Sequence, residues 1–303
     1  MKYFKTESTR TALRYEITPQ NFMDKTKRNY PFEQKDQYGK FSQYAICPSC
    51  LNPIQIIGIA HKIKTNPYGR HTGKSVKSLA KWNHEKYEYC PFAAKNDQKE
   101  LNNEARLEEL DDNIIELYNL MKSQFDRIIF ILEKELEIKC SEYFWRKALT
   151  QYIVNRAYCY PWLTEANLPY IFAYFGIHHQ RLFKQGIRID SGLYKALKKH
   201  PNVNFIETKN INYEQLCNKN NAFLELFFRF SHHSHKISND ETLIEKMIFY
   251  IDDRKTGITL FEKEITFNET FFMNMINKKG NEDKRQQRFI DIAEELMNPL
   301  INN

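Results

Sequence analysis

The feature that most restricts what this chain can become is the run Cys47-Pro48-Ser49-Cys50, followed by Cys90-Pro91. Two residues between cysteines let the backbone turn back on itself. Both sulfurs can then reach one tetrahedral ion while N–H groups of the turn donate to them. A redox Cys-x-x-Cys pair instead opens a helix that follows a strand. Here Leu51-Asn52-Pro53 disfavours a helix, and Ile54 to Ile59 has the character of a strand. The pair therefore reads as a knuckle for Zn2+, with Cys90 as the third ligand.

The fourth ligand is a choice among histidines. His71 lies in a segment rich in turn residues, Asn66 to Gly73, whose backbone can adapt to an ion. His84 precedes Cys90 on an expected helix from Ser75 to Tyr89, and His61 follows the Ile54–Ile59 run. His71 is the favoured reading, with His84 and His61 as alternatives. Cys47, Cys50, His71 and Cys90 would form a closed set of four protein ligands. A closed set folds a module and leaves no position open for catalysis. Over residues 47 to 90 the pattern resembles a zinc ribbon, although no second Cys-x-x-Cys pair is present.

Charge is concentrated in the same place. Residues 1 to 95 carry 17 Lys and Arg against 7 Asp and Glu, a net of +10, so the rest of a +7 chain is slightly acidic. A focused positive potential attracts polyanions. Arg70, Lys74, Lys77 and Lys81, interleaved with Tyr68 and Trp82, offer phosphate contacts and rings for base stacking. This points to nucleic acid as a partner; nothing in the residues separates DNA from RNA. Gly69 to Ser75 resembles the end of a phosphate loop, but only three residues separate its glycines, where that motif needs four.

The expected fold class is α+β. It comprises an N-terminal zinc-ribbon-like module, a helical middle with one long helix, a late small antiparallel sheet and a C-terminal helix. The corresponding divisions are 1–95, 96–205 and 206–303. Leu110, Ile114, Leu117, Met121, Phe125, Ile128 and Leu132 recur at steps of three and four, which predicts a helix from 97 to about 138. Ser141 is the expected cap of a second helix through about Tyr158. Phe223 to Lys236 fits a strand or an aromatic helix. Met247 to Ile251 and Ile258 to Phe267 flank the turn Asp253 to Gly257 and predict a hairpin. A polar linker, Asn277 to Lys284, leads to a last helix from Arg285 to Met297.

Two further readings carry chemistry. His232, His233 and His235 form a cluster in which His233 and His235 would share one strand face. With Asp240, Asp252 or Asp253 they could serve a metal-dependent hydrolase or nuclease. The helical region, with its apolar stripe and acidic face, could dock a protein partner in an assembly subunit. Hydrophobic residues at 42% and aromatics at 14% mark a globular chain, and 9 glycines are too few for glycine-rich phosphate cradles. With Lys2 and Lys5 near the start and no apolar run of about 18 residues, neither a signal peptide nor a membrane span is expected. The expected location is cytoplasmic, and usage rich in Asn, Lys, Ile, Phe and Tyr suggests a bacterial origin.

Overall fold

The computed structural model describes residues 1–9, 12–35, 39–59, 66–93, 101–108, 110–220, 222–239, 242–277 and 285–298. The chain divides into two compact units, one of residues 1–101 with 234–245 and one of residues 102–233 with 246–303.

The first unit is built on an antiparallel sheet. Its strands are β1 (Tyr3–Lys5), β2 (Arg14–Glu16), β3 (Glu33–Lys35), β4 (Phe41–Ile46), β5 (Pro53–Ile57) and β6 (Tyr68–His71). Their order is β2-β1-β4-β5-β6, and β3 also pairs with β4. Helix α1 (Pro19–Thr26) follows β2. Its cap Thr18 accepts the Asn21 N–H at 3.0 Å, and Pro19 suits the first turn because no N–H is needed there. Phe22 on this helix meets Phe4 of β1 at a ring separation of 5.8 Å. The small core holds Met1, Phe4, Ile17, Phe22, Ala45, Ile54 and Ile56, together with the thiols of Cys47, Cys50 and Cys90. Gly69 in β6 is buried, and a Cβ there would lie 2.8 Å from Ile54 Cδ1. A short helix α2 (His84–Glu88) precedes Cys90.

The second unit begins with α3 (Asp112–Ser123) and α4 (Phe125–Leu136), where the apolar period predicts one long helix. Asp111 starts the first by accepting the Ile114 N–H at 2.9 Å. At Gln124 the backbone leaves helical geometry (φ −118°, ψ 18°), although its N–H still bonds Leu120 O at 3.0 Å. The apolar spacing continues across the break, so the period does not register it. Then come β7 (Ile138–Lys139), α5 (Glu142–Val154) capped by Ser141 as expected, and α6 (Leu168–Phe172), which runs into a π-turn over Ala173–Ile177. Gly176 is needed in that turn: a Cβ would stand 2.6 Å from the Ala148 carbonyl oxygen.

The middle of the chain is also not purely helical. Strands β8 (Gly186–Arg188), β9 (Val203–Glu207) and β10 (Tyr213–Asn218), with α7 (Gly192–Leu197) between the first two, form with β7 an antiparallel sheet of order β7-β8-β10-β9. These strands are short and mostly half-exposed, so they leave little apolar alternation to read. Strands β11 (Leu226–Ile237), β12 (Leu243–Asp253) and β13 (Ile258–Thr266) form the third sheet. The hairpin of β12 and β13 is antiparallel as expected, with Met247 opposite Ile265 and Asp253 opposite Ile258. Helix α8 (Glu269–Asn277) follows β13 where the sequence predicts no helix, and α9 (Gln287–Leu296) is the last described element. The linker 277–284 lies outside the described residues beyond Asn277.

The second unit's core is aromatic. Trp145, Tyr152, Tyr160, Tyr170, Phe125, Phe172, Phe228, Phe230 and Phe249 are essentially fully buried. Helix α9 is pinned by Arg285, whose Nε and Nη2 both donate to Asp126 at 2.8 Å. Burial would raise the Asp126 carboxyl, but Arg285 and the Gln286 N–H hold it below the usual carboxylate range. Among the described residues, no helix is long and apolar enough to cross a membrane.

Candidate metal centre

Two parts of the first sheet and the segment after α2 bring the donors together. Cys47-Pro48-Ser49-Cys50 forms the turn between β4 and β5, directly after the pair Ile46–Pro53. Cys47 N donates to Asn52 O at 2.9 Å and Leu51 N to Cys47 O at 3.1 Å, closing the turn. Leu51 takes a left-handed backbone conformation there (φ 59°). His71 is the last residue of β6 and lies opposite Ile54 of β5, which carries its ring to the knuckle. Cys90 follows α2, with its N–H on Tyr87 O at 3.0 Å.

The four ligand atoms all lie within 4.8 Å of one another, so these residues could hold a metal ion. Cys47 Sγ and Cys90 Sγ are 3.8 Å apart. His71 Nε2 is 3.2 Å from Cys50 Sγ and 3.7 Å from Cys90 Sγ. None of the cysteines is in a disulfide. All three are buried and His71 is half-buried. Burial raises the Cys50 and Cys90 thiols, and each of the neighbouring sulfurs alters the balance. Cys47 goes the other way: thiol hydrogen bonds from Cys50 and Cys90, aided by His71, outweigh burial and hold it well below the ordinary value.

Surrounding groups orient the donors. Asn52 is buried and its Nδ2 lies 3.4 Å from Cys50 Sγ. The same amide donates to Asn83 O at 2.9 Å, and Asn83 N donates back to Asn52 Oδ1 at 2.7 Å. Asn83 in turn caps α2 by accepting the Lys86 N–H at 2.9 Å. Tyr87 and Trp82 meet the His71 ring edge-on, at 5.1 and 6.2 Å. Of the alternative histidines, His84 is solvent-exposed beside Glu88 at 3.5 Å, and His61 lies outside the described residues.

The helix expected from Ser75 is confined to His84–Glu88. Before it, Val76 and Ala80 form a β-bridge that closes a tight loop, and Ser78 at its tip has φ 59°. Tyr30 Oη bonds Ser78 Oγ at 2.8 Å, and Gln34 Nε2 bonds Lys77 O at 3.0 Å, so this loop is fixed from outside. Arg70, Lys74, Lys77 and Lys81 are exposed, whereas Tyr68 and Trp82 are half-buried. Tyr68 and Arg70 belong to β6, so the glycine run is partly strand rather than a phosphate cradle.

Beside the knuckle opens a cleft of about 690 Å³, lined by Cys50, Leu51, Asn52, Val76, Leu79 and Ala80 and by the polar groups Ser8, Ser75, Lys77, Ser78, Lys81, Asn83 and Lys86. Among the described residues, no Asp or Glu lines it. Sequence reasoning missed Asn52, the cleft and Ser8. Asn83 was detectable as the Asn that opens a short helix.

The later histidines are placed differently. Buried positions alternate along β11 at Phe228 and Phe230, then at His233 and His235, because the strand slips one residue at His232, whose φ is 55°. His233 is buried with Nδ1 3.0 Å from Tyr160 Oη, and its ring stacks on Phe267. His232 is exposed beside Ser231. Asp252 pairs with Arg229 and Asp253 with His200, while Asp240 lies outside the described residues. Among the described residues, the four donors at the knuckle are the one group of three or more His, Cys, Asp or Glu whose ligand atoms converge.

No family model matches this chain, and neither a curated protein nor a solved structure matches it.

Proposed function

We propose that Cys47, Cys50, His71 and Cys90 hold a structural Zn2+ ion in a zinc-ribbon-like module, and that this module grips nucleic acid through its basic face. The donor set supports zinc. Tetrahedral zinc with sulfur at about 2.3 Å and nitrogen at about 2.0 Å requires donor separations of roughly 3.5–3.8 Å. The spacings at Cys47, Cys90 and His71 fall in that range, and the Cys50–His71 pair is slightly shorter. Four protein donors leave no open position, which favours a folding role over a catalytic one. The surrounding core is small, so metal ligation would supply energy that apolar burial alone does not.

The observation that carries the functional reading is the cleft beside the ion. Lysines 77, 81 and 86 and three serine hydroxyls meet there without an acidic side chain among the described residues. Hydroxyls and ammonium groups in that mixture match phosphate oxygens, which accept several hydrogen bonds at once. The net charge of +10 over residues 1–95 extends the attraction beyond the cleft. A hydrolytic role for His233 and His235 has less support, since the His233 ring is engaged by Tyr160 and Phe267.

Anisotropy titration with short labelled DNA and RNA tests the nucleic-acid reading. Binding should weaken at least tenfold between about 50 and 200 mM salt, as expected when several phosphates are neutralised. The double substitution Lys77→Glu with Lys81→Glu should abolish it. Salt-independent binding, or binding untouched by that double change, would contradict the reading. Zinc present with no nucleic-acid binding would instead favour an architectural module in a protein assembly.

A further inference from the structure

The second unit carries a cleft that the reading above does not use. It measures about 630 Å³, and Glu104, Arg106, Lys147, Phe175, His178 and His179 are among the residues that line it. Two adjacent histidines on the wall of one cleft are a general acid–base pair only if a ring nitrogen is free to accept a proton. Here their geometry points elsewhere.

The Phe230 backbone N–H donates to His178 Nδ1 at 3.0 Å. Arg254 Nη2 lies 2.8 Å from His179 Nδ1, and a guanidinium can only donate. Both Nδ1 atoms therefore act as acceptors, and each neutral ring must carry its proton on Nε2. Burial first, then for His178 the adjacent His179, and for both rings the charges of Arg229 and Arg254, outweigh the opposing Asp252 carboxylate; the His178 pKa is lowered to about 4 and that of His179 is lowered too. At neutral pH the pair thus presents N–H donors and no base. Cations outnumber acids around them: Arg254, Arg229, Lys147 and Arg106 stand against Asp252, which pairs with Arg229, and Glu104. Lys147 is exposed on the rim, and the Arg106 guanidinium rests 4.5 Å from the Phe175 ring centroid. Arg106 spends donors on the Asn103, Ala105 and Asn155 carbonyls, so it contributes charge more than hydrogen bonds. Glu104 is the single acid in the lining among the described residues.

The backbone beneath is unusual. The π-turn at Ala173–Ile177 leads straight into the pair, and His179 has φ 66°, with its ring centroid 3.8 Å from that of His178. A non-glycine residue in the left-handed region and a π-turn are both costly forms that recur at ligand sites.

We propose that this cleft binds the phosphate of a small phosphomonoester, held by the Nε2–H groups of His178 and His179 and by the charges of Lys147, Arg106 and Arg254. A monoester dianion can accept from several donors and answer several cations at once. The cleft is of a size that takes a small molecule. The observation is separate from the lysine-lined cleft of the first unit and stands without it.

The test uses the whole chain as purified, with ring 15N-labelled histidine and inorganic phosphate as the probe. The Nε2 signals of His178 and His179 should shift on titration up to about 10 mM phosphate, a range that detects even millimolar affinity. Dimethyl phosphate, a diester monoanion, should bind at least several-fold more weakly. His179→Gly removes one donor at a position where glycine is comfortable, and should raise Kd about tenfold or more, as expected for a lost hydrogen bond to a charged group. Lys147→Gln, an exposed change that leaves the fold intact, should weaken binding in the same direction. Lys77→Glu with Lys81→Glu should leave the histidine response unchanged. The proposal is overturned if the ring signals stay fixed, if dimethyl phosphate shifts them and phosphate does not, if both His179→Gly and Lys147→Gln bind as tightly as the parent, or if the response disappears with the lysines of the first unit.

Discussion

Asn52 clasps the peptide of Asn83 with both ends of its carboxamide, donating to Asn83 O at 2.9 Å and accepting from Asn83 N at 2.7 Å. One partner stands two residues past Cys50 and the other begins the helix that leads to Cys90. This clasp is what holds two distant parts of the donor set at one point. Asn52 is buried although Asn83 is exposed, so removing the Asn52 carboxamide leaves the partly buried Asn83 peptide without these two hydrogen bonds.

Asn52→Ala should therefore lower metal affinity by about 10- to 100-fold, the usual effect of removing a group that orients ligands. Competition with a chromophoric chelator measures it. Asn52→Asp keeps the acceptor for Asn83 N but loses the donor, and should fall between. Parent-like affinity for Asn52→Ala would show that the clasp is dispensable.

Gly176→Ala should destabilise the second unit by about 2–3 kcal/mol. The added Cβ would meet the Ala148 carbonyl oxygen at 2.6 Å, and a backbone atom inside a packed helix cannot move aside cheaply. Urea unfolding followed by tryptophan emission reads this through Trp145, which is fully buried in that core. An unchanged midpoint would mean that the π-turn can widen to admit the methyl.

Acid should weaken the second unit through His178. Its folded pKa, about 4, lies below the ordinary value of 6.5. As pH falls, the unfolded chain takes up the proton first, so stability is full above about pH 7 and is lost between about pH 6.5 and 4. Allowing for the ring's partial exposure, the loss by pH 5 is about 1 kcal/mol. Other groups also titrate in this window, so the informative quantity is the difference from His178→Gln, whose amide oxygen can still accept the Phe230 N–H. The parent should show the steeper decline; equal slopes would remove His178 as the cause.

What could be read from the residues was what is local. Cys47 and Cys50 are separated by a single turn, so spacing alone identifies them as a pair. His71 and Cys90 depend on strand pairing and on the Asn52–Asn83 clasp, which no spacing encodes; His71 could be ranked above His84 and His61 only by its loop character. Ser141 acts as its residue type implies, with Phe144 N on its hydroxyl at 3.2 Å. Gln124 did not reveal its break, because apolar residues continue at steps of three and four through Met121, Phe125 and Ile128. Asn268 was a readable start for α8, since its side chain accepts the Phe271 N–H at 3.1 Å. The aromatic run after it masked the helical period. The slip at His232 put His233 and His235 on the buried face that Phe228 and Phe230 occupy, which strict alternation from Phe228 would deny them.

The central claim concerns one ion and four ligands, and metal analysis of the purified full chain tests it most directly. Elemental analysis should return one zinc per chain. Cys47→Ser and Cys90→Ser should each lose it, whereas His84→Ala should retain it. Chelation should cost amide protection across residues 1–93 and leave the second unit's core protected. A preparation without stoichiometric metal, or one that keeps its zinc after both cysteine substitutions, would contradict the account.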